Sequence, residues 1–336
     1  MQYGLIGEHL GHSYSKLIQE KLIDNYTYEI HPVKKTDLDA FMKEHSFQAI
    51  NVTIPYKKDV IPYLYRLDDA SKKIGAVNTI VNREGKLFGY NTDYYGFDYM
   101  VKKHGISFAN KKVLVLGNGG ASQAIQAVIK DNEAKELLVT DIILSGDVLS
   151  IDSVYQNHKD IDIVVNTTPC GMYPHVDSAA VDLSKFTHIE AVFDCIYNPM
   201  DTKFTLQAKS LGIPVAVTGL EMLVGQAKRA LEHFKDIQID DREIDRIYRE
   251  ILFETSNLIT DCTNSDILND LSNRLHKEIR FSKQIEKDAI ENSLILVISQ
   301  EEISAHQEKL ISNGFIVNGD SADTIIAKFK SAIQEF

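Results

Sequence analysis

Lys112-Val-Leu-Val-Leu-Gly117-Asn-Gly119-Gly120-Ala-Ser122 is the stretch that decides the fold. Val113–Leu116 is an unbroken apolar run, the pattern of a strand buried on both faces of a parallel sheet. The glycines follow at once, and a helical pattern runs from about Ala121 to Asp131. Strand, glycine turn and helix in that order bring backbone N–H groups and a helix N-terminus to where a pyrophosphate can approach closely. The spacing is GxGxxG-like, with Ser122 in the last small position. Any tight strand-to-helix turn also favours glycine, so the motif alone leaves a plain turn open. Its place within repeated β-α units favours dinucleotide binding.

Downstream of that turn, Leu137–Asp141, Ile163–Asn166, Ala191–Asp194 and Val215–Val217 read as further buried strands. Helical patterns cover about Thr202–Leu211, Glu221–Phe234 and Asp240–Glu254. Upstream, Tyr3–Gly7, Tyr28–Val33 and Ala49–Pro55 read as strands, with helices expected at Ser15–Tyr26, Asp37–His45 and Tyr56–Leu67. Ala76–Asn82 and Lys86–Tyr90, joined by Arg-Glu-Gly, form a β-hairpin pattern. The alternation predicts an α/β protein with a largely parallel sheet in each half. From about Ser256 the pattern reads helix Asp266–Asn292, whole or broken, strand Leu294–Ser299, helix Glu301–Ser312, strand Phe315–Asn318 and helix Ala322–Gln334. This is a third α/β unit, small for a separate core.

The 336 residues suit two domains and an addition, and 44% hydrophobic with 25% charged residues is ordinary for a globular chain. Lys plus Arg number 36 against 48 Asp plus Glu, a net charge of −12. That balance disfavours nucleic acid and anionic membrane as main partners, while a local basic pocket can still hold a small anion. No apolar run is long enough to span a bilayer, and the start lacks the basic and apolar regions of a signal peptide. Cys170, Cys195 and Cys262 form no metal-type spacing, so a cytoplasmic protein without disulfides or metal is expected.

Four shorter motifs carry candidate chemistry. Asn51-Val-Thr53-Ile-Pro-Tyr-Lys57 ends a strand with Lys57 at its carboxyl end, where α/β proteins bind ligands; taken alone, an edge strand followed by a solvated lysine is the better reading. Asn91-Thr92-Asp93 precedes a helix starting near Tyr94, and Asp93 alone could be its cap. Ser13-Tyr-Ser15 offers two hydroxyls spaced by one, again readable as a cap. Asn166-Thr-Thr-Pro-Cys-Gly171-Met172 follows a buried strand.

Taken in order with Gly75-Ala-Val-Asn78-Thr, Tyr197-Asn-Pro and Gly219-Leu-Glu-Met-Leu-Val-Gly-Gln226, these motifs closely resemble the shikimate dehydrogenase family over about residues 3–250. The resemblance implies a substrate-binding α/β domain, residues 1–99 with 225–255, and a Rossmann-type nicotinamide domain, residues 100–224, with a cleft between them. Residues 256–336 would be an extension of unassigned role. The implied reaction is reversible reduction of 3-dehydroshikimate to shikimate. Lys57 and Asp93 match the catalytic pair: an ammonium delivers a proton to the carbonyl oxygen as hydride arrives, and the carboxylate orients it. Ser13 and Ser15 match the hydroxyls that bind the substrate carboxylate, with Tyr197 as a further donor. Thr53, Asn78, Asn91 and Gln226 match residues for the ring hydroxyls or carboxylate. Gly117, Gly119, Gly120 and Ala121 would lie under the pyrophosphate, and Thr167, Met172 and Gly219 complete the cofactor set. Tyr56, His12 and Cys170 are assigned packing roles.

The chain departs from the family pattern at three places. Lys16 stands where proline is usual, and Gln19-Glu20 where His-Asn is usual; both are expected to affect helix entry more than ligand contacts. The third departure concerns the cofactor. The family usually reads NADP through an Asn-Arg-Thr-type segment, but Leu138–Asp147 here contains no Lys or Arg. Asp141 stands near the distance from Gly117, about 20 residues, at which NAD-binding folds place an acid on the ribose 2′-hydroxyl. NAD is therefore the expected preference, with NADP as the alternative. In the competing reading Asp141 only caps its turn and a more distant lysine such as Lys159 serves the 2′-phosphate.

Quinate/shikimate dehydrogenase activity of relaxed specificity is the nearest rival function, and a non-catalytic shikimate-binding regulatory protein the rival from another class. Retention of both Lys57 and Asp93 argues against the latter. A homodimer is one expected assembly. Ser282–Ile290, Leu294–Ser299, Leu310–Val317 and Asp323–Ile326 are distantly similar in spacing to part of shikimate kinase. That family's GxxxxGK[ST] loop is absent, and Gln300-Glu-Glu replaces an expected glycine triplet, so a kinase-derived remnant without kinase activity is expected; an unrelated α/β appendage is the alternative.

Overall fold

Alternate residues of the first strands feed two different cores. The computed structural model describes residues 1–10, 13–255, 257–260, 265–275, 279–281, 295–299, 314–318, 321 and 323–328. Its strands β1 (Tyr3–Gly7), β2 (Glu29–Pro32), β3 (Ala49–Val52), β4 (Arg66–Leu67), β5 (Thr79–Arg83) and β6 (Lys86–Tyr90) form a sheet of order β2-β1-β3-β5-β6-β4. Ile6, Ile50 and Ile80 pack with Leu38 and Met42 of α2 (Leu38–Glu44), whereas their neighbours Leu5, Ala49 and Val81 pack with Tyr28, Leu231 and Phe234. This is the two-residue side-chain period of a strand buried on both faces. β1 pairs in parallel with β2 and β3, and the hairpin β5–β6 joins β3 antiparallel, so this sheet is mixed.

The chain forms two compact units: Met1–Thr168 with Phe186–Ala191 and Leu220–Ile247, and Pro169–Lys185 with Val192–Gly219 and Tyr248–Phe336. The first unit also holds α1 (Ser15–Leu22), α3 (Asp69–Ile74), α4 (Asp93–Lys103), and parallel strands β7 (Lys112–Leu116), β8 (Glu136–Thr140) and β9 (Ile163–Asn166) in the order β9-β7-β8. Every residue of Val113–Leu116 is buried, as the apolar run predicts. Between these strands lie α5 (Gly120–Asp131) and α6 (Ile151–Asn157), and small Ala124 and Ala127 of α5 pack on Ile74 and Ala76.

The second unit contains β10 (Ala191–Asp194, its first residue aside), α7 (Lys203–Ser210) and β11 (Val215–Val217). Returning to the first unit, α8 (Leu220–Lys235) crosses α4 where Gly96 meets it: a Cβ there would stand 2.4 Å from Met222 O. The helix α9 (Arg242–Thr255) leads into β12 (Asn257–Thr260), α10 (Ser265–Leu275), β13 (Ile279–Phe281), β14 (Ile295–Ser299) and β15 (Gly314–Asn318). These four strands form a parallel sheet of order β13-β12-β14-β15.

Two expectations are corrected. Tyr56–Leu67 is not a helix but turns, a 3-10 segment at Ile61–Tyr63 and β4, because Pro62 lacks the N–H that a helix needs and disfavours it in the residue before. The helix expected over Asp266–Asn292 ends at Leu275, and β13 follows. The residues expected as helix over Glu301–Ser312 lie outside those described. Among the described residues no helix is long and apolar enough to cross a membrane.

Candidate active site

Lys57 follows a central strand, not an edge strand, and it is not solvated. β3 lies between β1 and β5, and past its end Thr53 N–H donates to Ile6 O (2.9 Å) and Tyr56 N–H to Thr53 O (3.0 Å). Fully buried Tyr56 donates its hydroxyl to Val33 O (2.6 Å), which fits the packing role expected of it. Lys57 O in turn accepts Val77 N–H (2.8 Å), so the base of the lysine is fixed. Its Nζ donates to Asp93 Oδ2 at 2.6 Å, with the two side chains only 14% and 10% exposed. Asp93 is the first residue of α4 rather than its N-cap, which is Thr92 without a side-chain capping bond. The carboxylate serves the lysine, not the helix end.

Buried amides and hydroxyls surround this pair. Asn78 Oδ1 accepts from Thr92 N–H (2.8 Å), Thr92 Oγ1 (3.2 Å) and Thr79 Oγ1 (2.9 Å), so these bonds leave the amide NH2 to donate elsewhere. Asn91 donates to Ala76 O (3.0 Å) and accepts Asp93 N–H (3.1 Å), which sets where the carboxylate begins. Asn51 donates to Asn78 O and Thr79 Oγ1 and accepts from the Tyr28 hydroxyl (2.7 Å). Burial holds that phenol well above its usual pKa, keeping it a donor. Gln226 reaches the group from α8, its Oε1 3.4 Å from Thr92 Oγ1. The sequence motifs assign no role to Thr92, Asn51, Thr79 or Tyr28; the one sequence signal for Thr92 is its place inside Asn91-Thr-Asp93.

Ser13 and Ser15 lie together, Oγ to Oγ 2.9 Å, and Ser15 N–H donates to Ser13 Oγ (3.2 Å). Gly11 and His12 lie outside the described residues. The departures at Lys16, Gln19 and Glu20 act as helix anchors. Lys16 Nζ pairs with Glu20 and donates to Tyr28 O (2.9 Å), while Glu20 accepts Tyr28 N–H (3.0 Å). Gln19, fully buried, donates across to Ala227 O on α8 (3.0 Å).

At the other end, Gly117 has φ +95°, and a Cβ there would stand 2.8 Å from Thr167 Oγ1. Thr167 closes the turn, its Oγ1 donating to Leu116 O (2.6 Å). A Cβ on Gly119 would meet nothing within 4 Å, and α5 starts there with no side-chain cap, beside Ala121. Open space against uncapped helix N–H groups suits the pyrophosphate of a dinucleotide, so the residues fit a nicotinamide cofactor. Asp141 follows β8 directly. Its carboxylate accepts Asn118 N–H (2.6 Å) from the glycine turn and Ile143 N–H (3.1 Å) from its own turn. The capping expected of the rival reading is thus present, and each oxygen retains acceptor capacity. Lys159 stands elsewhere. It precedes β9, and Asp162 N–H meets Lys112 O, so it lies at the sheet end opposite Gly117, on the order of 10 Å away by strand rise.

Met172, Tyr197 and Gly219 belong to the second unit. Gly219 N–H donates to Ile196 O (2.8 Å), and a Cβ on it would stand 2.3 Å from Cys195 O, so only glycine fits. Buried Asp194 accepts Ile196 N–H (3.0 Å) and the Thr202 hydroxyl (2.6 Å), bracing the loop that carries half-buried Tyr197. Met172 is 46% exposed.

Residues 5–80 match the family model of the shikimate dehydrogenase substrate binding domain. The chain is 38% identical over 260 residues to the shikimate dehydrogenase (NADP(+)) of Clostridium beijerinckii, a match covering 73% of this chain and 96% of that one. The chain belongs to the shikimate dehydrogenase family. Among solved members, shikimate dehydrogenase 1 from Peptoclostridium difficile is 36% identical with a TM-score of 0.67, covering 75% of this chain and 98% of that one. A chorismate mutase/shikimate 5-dehydrogenase fusion protein from Clostridium acetobutylicum is 37% identical with a TM-score of 0.69, over 75% and 97%. About a quarter of this family member therefore lies beyond each match.

Proposed function

We infer that this chain is a nicotinamide-dependent shikimate dehydrogenase, interconverting 3-dehydroshikimate and shikimate. The observation that carries the reading is the Lys57–Asp93 pair at 2.6 Å, set among buried amides. Bound, the cofactor supplies or removes the hydride at the substrate carbon. In the reducing direction the Lys57 ammonium donates a proton to the carbonyl oxygen and stabilises the charge that develops there. Asp93 keeps the ammonium aimed and accepts from a ring hydroxyl. Thr53, Asn78, Asn91 and Gln226 bind ring hydroxyls or the carboxylate, while Ser13, Ser15 and Tyr197 hold the substrate carboxylate with neutral donors. Gly117, Gly119, Gly120, Ala121, Thr167, Met172 and Gly219 serve the cofactor.

NADP use is supported by the names of the similar enzymes. We propose a preference for NAD in this chain. Asp141 adjoins the glycine turn, segment 138–147 has no cation, and Lys159 sits at the wrong end of the sheet. A carboxylate accepts from a ribose 2′-hydroxyl and repels a 2′-phosphate. The three sheets support a three-part division, 1–99 with 225–255, 100–224 and 256–336, the last without kinase activity. Shikimate-dependent reduction of NAD and of NADP, compared as kcat/KM, tests the reading. No reduction of either overturns the function, and equal values or a higher value with NADP overturn the preference. ATP-dependent phosphorylation of shikimate would overturn the inactive tail.

A further inference from the structure

The glycines of the turn are glycine for different reasons. Gly117 needs its positive φ, and Gly119 borders open space. Gly120, the first residue of α5, has neither reason: its φ is not positive, and a pyrophosphate would use its backbone N–H, which an added Cβ leaves in place. A Cβ on Gly120 would meet one side chain, that of Lys57, 3.3 Å from its Cδ and 3.8 Å from its Cβ. At 3.3 Å the lysine stem has to give by a few tenths of an ångström.

We propose that Gly120 is a positioning residue for Lys57: its missing side chain lets the lysine stem lie against the glycine turn so that the ammonium meets Asp93. The proposal rests on the reading of Lys57 as the proton carrier. A four-carbon stem with free rotors cannot hold its own tip in place. Here it is held at the base by Val77 N–H on Lys57 O (2.8 Å), along its length by Gly120, and at the tip by Asp93 (2.6 Å). Removing the middle contact by inserting a methyl group displaces the tip. Where about 1 Å of misplacement costs about 10²-fold, a few tenths cost roughly three- to tenfold.

The test is a double-mutant cycle on the full chain with Gly120→Ala, Lys57→Met and both together. Gly120→Ala is expected to lower kcat for shikimate oxidation by roughly three- to tenfold while KM for shikimate stays within about twofold, because the ammonium loses part of its aim and the substrate-binding groups are untouched. Its cofactor Kd, read by fluorescence titration, should stay within about twofold, a difference under about 0.5 kcal/mol. In the Lys57→Met background the fold-loss from the same substitution should shrink to whatever a change in cofactor Kd explains. An equal drop in both backgrounds, or a weakened cofactor Kd that accounts for the loss, overturns the inference. An undiminished Gly120→Ala beside a collapsed Lys57→Met overturns the inference alone. Full turnover in Lys57→Met overturns the catalytic reading itself. Gly120→Ser, which carries the same Cβ, repeats the cycle if Gly120→Ala fails to fold.

Discussion

Around Asp93, six buried polar residues, Asn51, Asn78, Thr79, Asn91, Thr92 and Asp93 itself, hold one another through short hydrogen bonds. Around Asp141 the picture reverses: Ile142, Ile143 and Leu144 are 97%, 72% and 59% exposed, and two backbone bonds to the carboxylate are the anchor. Buried polar groups are costly unless every one is partnered, so the first region admits few substitutions and keeps one geometry. The second is free to vary because little packs on it. On the proposed reading, chemistry sits where the chain is over-determined, and cofactor choice where it is not.

The comparison breaks first at the pair. Asp93→Asn preserves shape but leaves the ammonium without its carboxylate, so kcat for shikimate oxidation should fall on the order of 10²-fold. Steady-state kinetics with a melting curve that stays near the parent's would establish this, and a change under threefold would contradict it. Asp141→Arg should instead shift the NADP-to-NAD ratio of kcat/KM by at least about tenfold toward NADP, while the melting temperature moves little. If the ratio stays put, the exposed region does not select the cofactor.

Smaller effects sharpen the contrast. Thr92→Val keeps the volume but removes a donor to Asn78 Oδ1, and should cost about 1 kcal/mol in urea unfolding. An unchanged midpoint would mean the polar group around Asp93 is not taut. Beside the first region, His233 stacks at 4.0 Å on Tyr90, the residue before Asn91, and burial, helped by nearby Arg229, pushes its pKa from 6.5 down to about 4. The folded state resists a proton that the unfolded chain takes up below pH 6.5. Stability should therefore decline as pH falls from 6.5 to about 4, by on the order of 1 kcal/mol once partial exposure is allowed for. Melting temperatures across that range should show the decline, and His233→Phe, which keeps the stacking, should flatten it.

Much of this was legible from the residues in order. The apolar run before Gly117 is the buried strand it reads as, and the motifs ending in Lys57 and Asp93 lie side by side although 36 residues separate them. Other features were hidden for physical reasons. Thr92 reads as a helix start, and nothing local says that it bonds Asn78 across the sheet. Gln19 resembles any exposed polar helix residue, yet it is fully buried against a carbonyl 208 residues away. The strands Asn257–Thr260 and Ile279–Phe281 are too short for periodicity to register. Pro62 marked the end of the helix expected from Tyr56, a breaker signal outweighed by the apolar pattern around it.

The most direct measurement is turnover of Lys57→Ala set against its affinity for shikimate. The lysine is assigned the proton, and hydroxyls and amides the binding, so kcat should fall by about 10²–10⁴ while calorimetry gives a Kd within about threefold of the parent's. A loss of turnover below tenfold, or a loss of shikimate binding that accounts for it, would contradict the account.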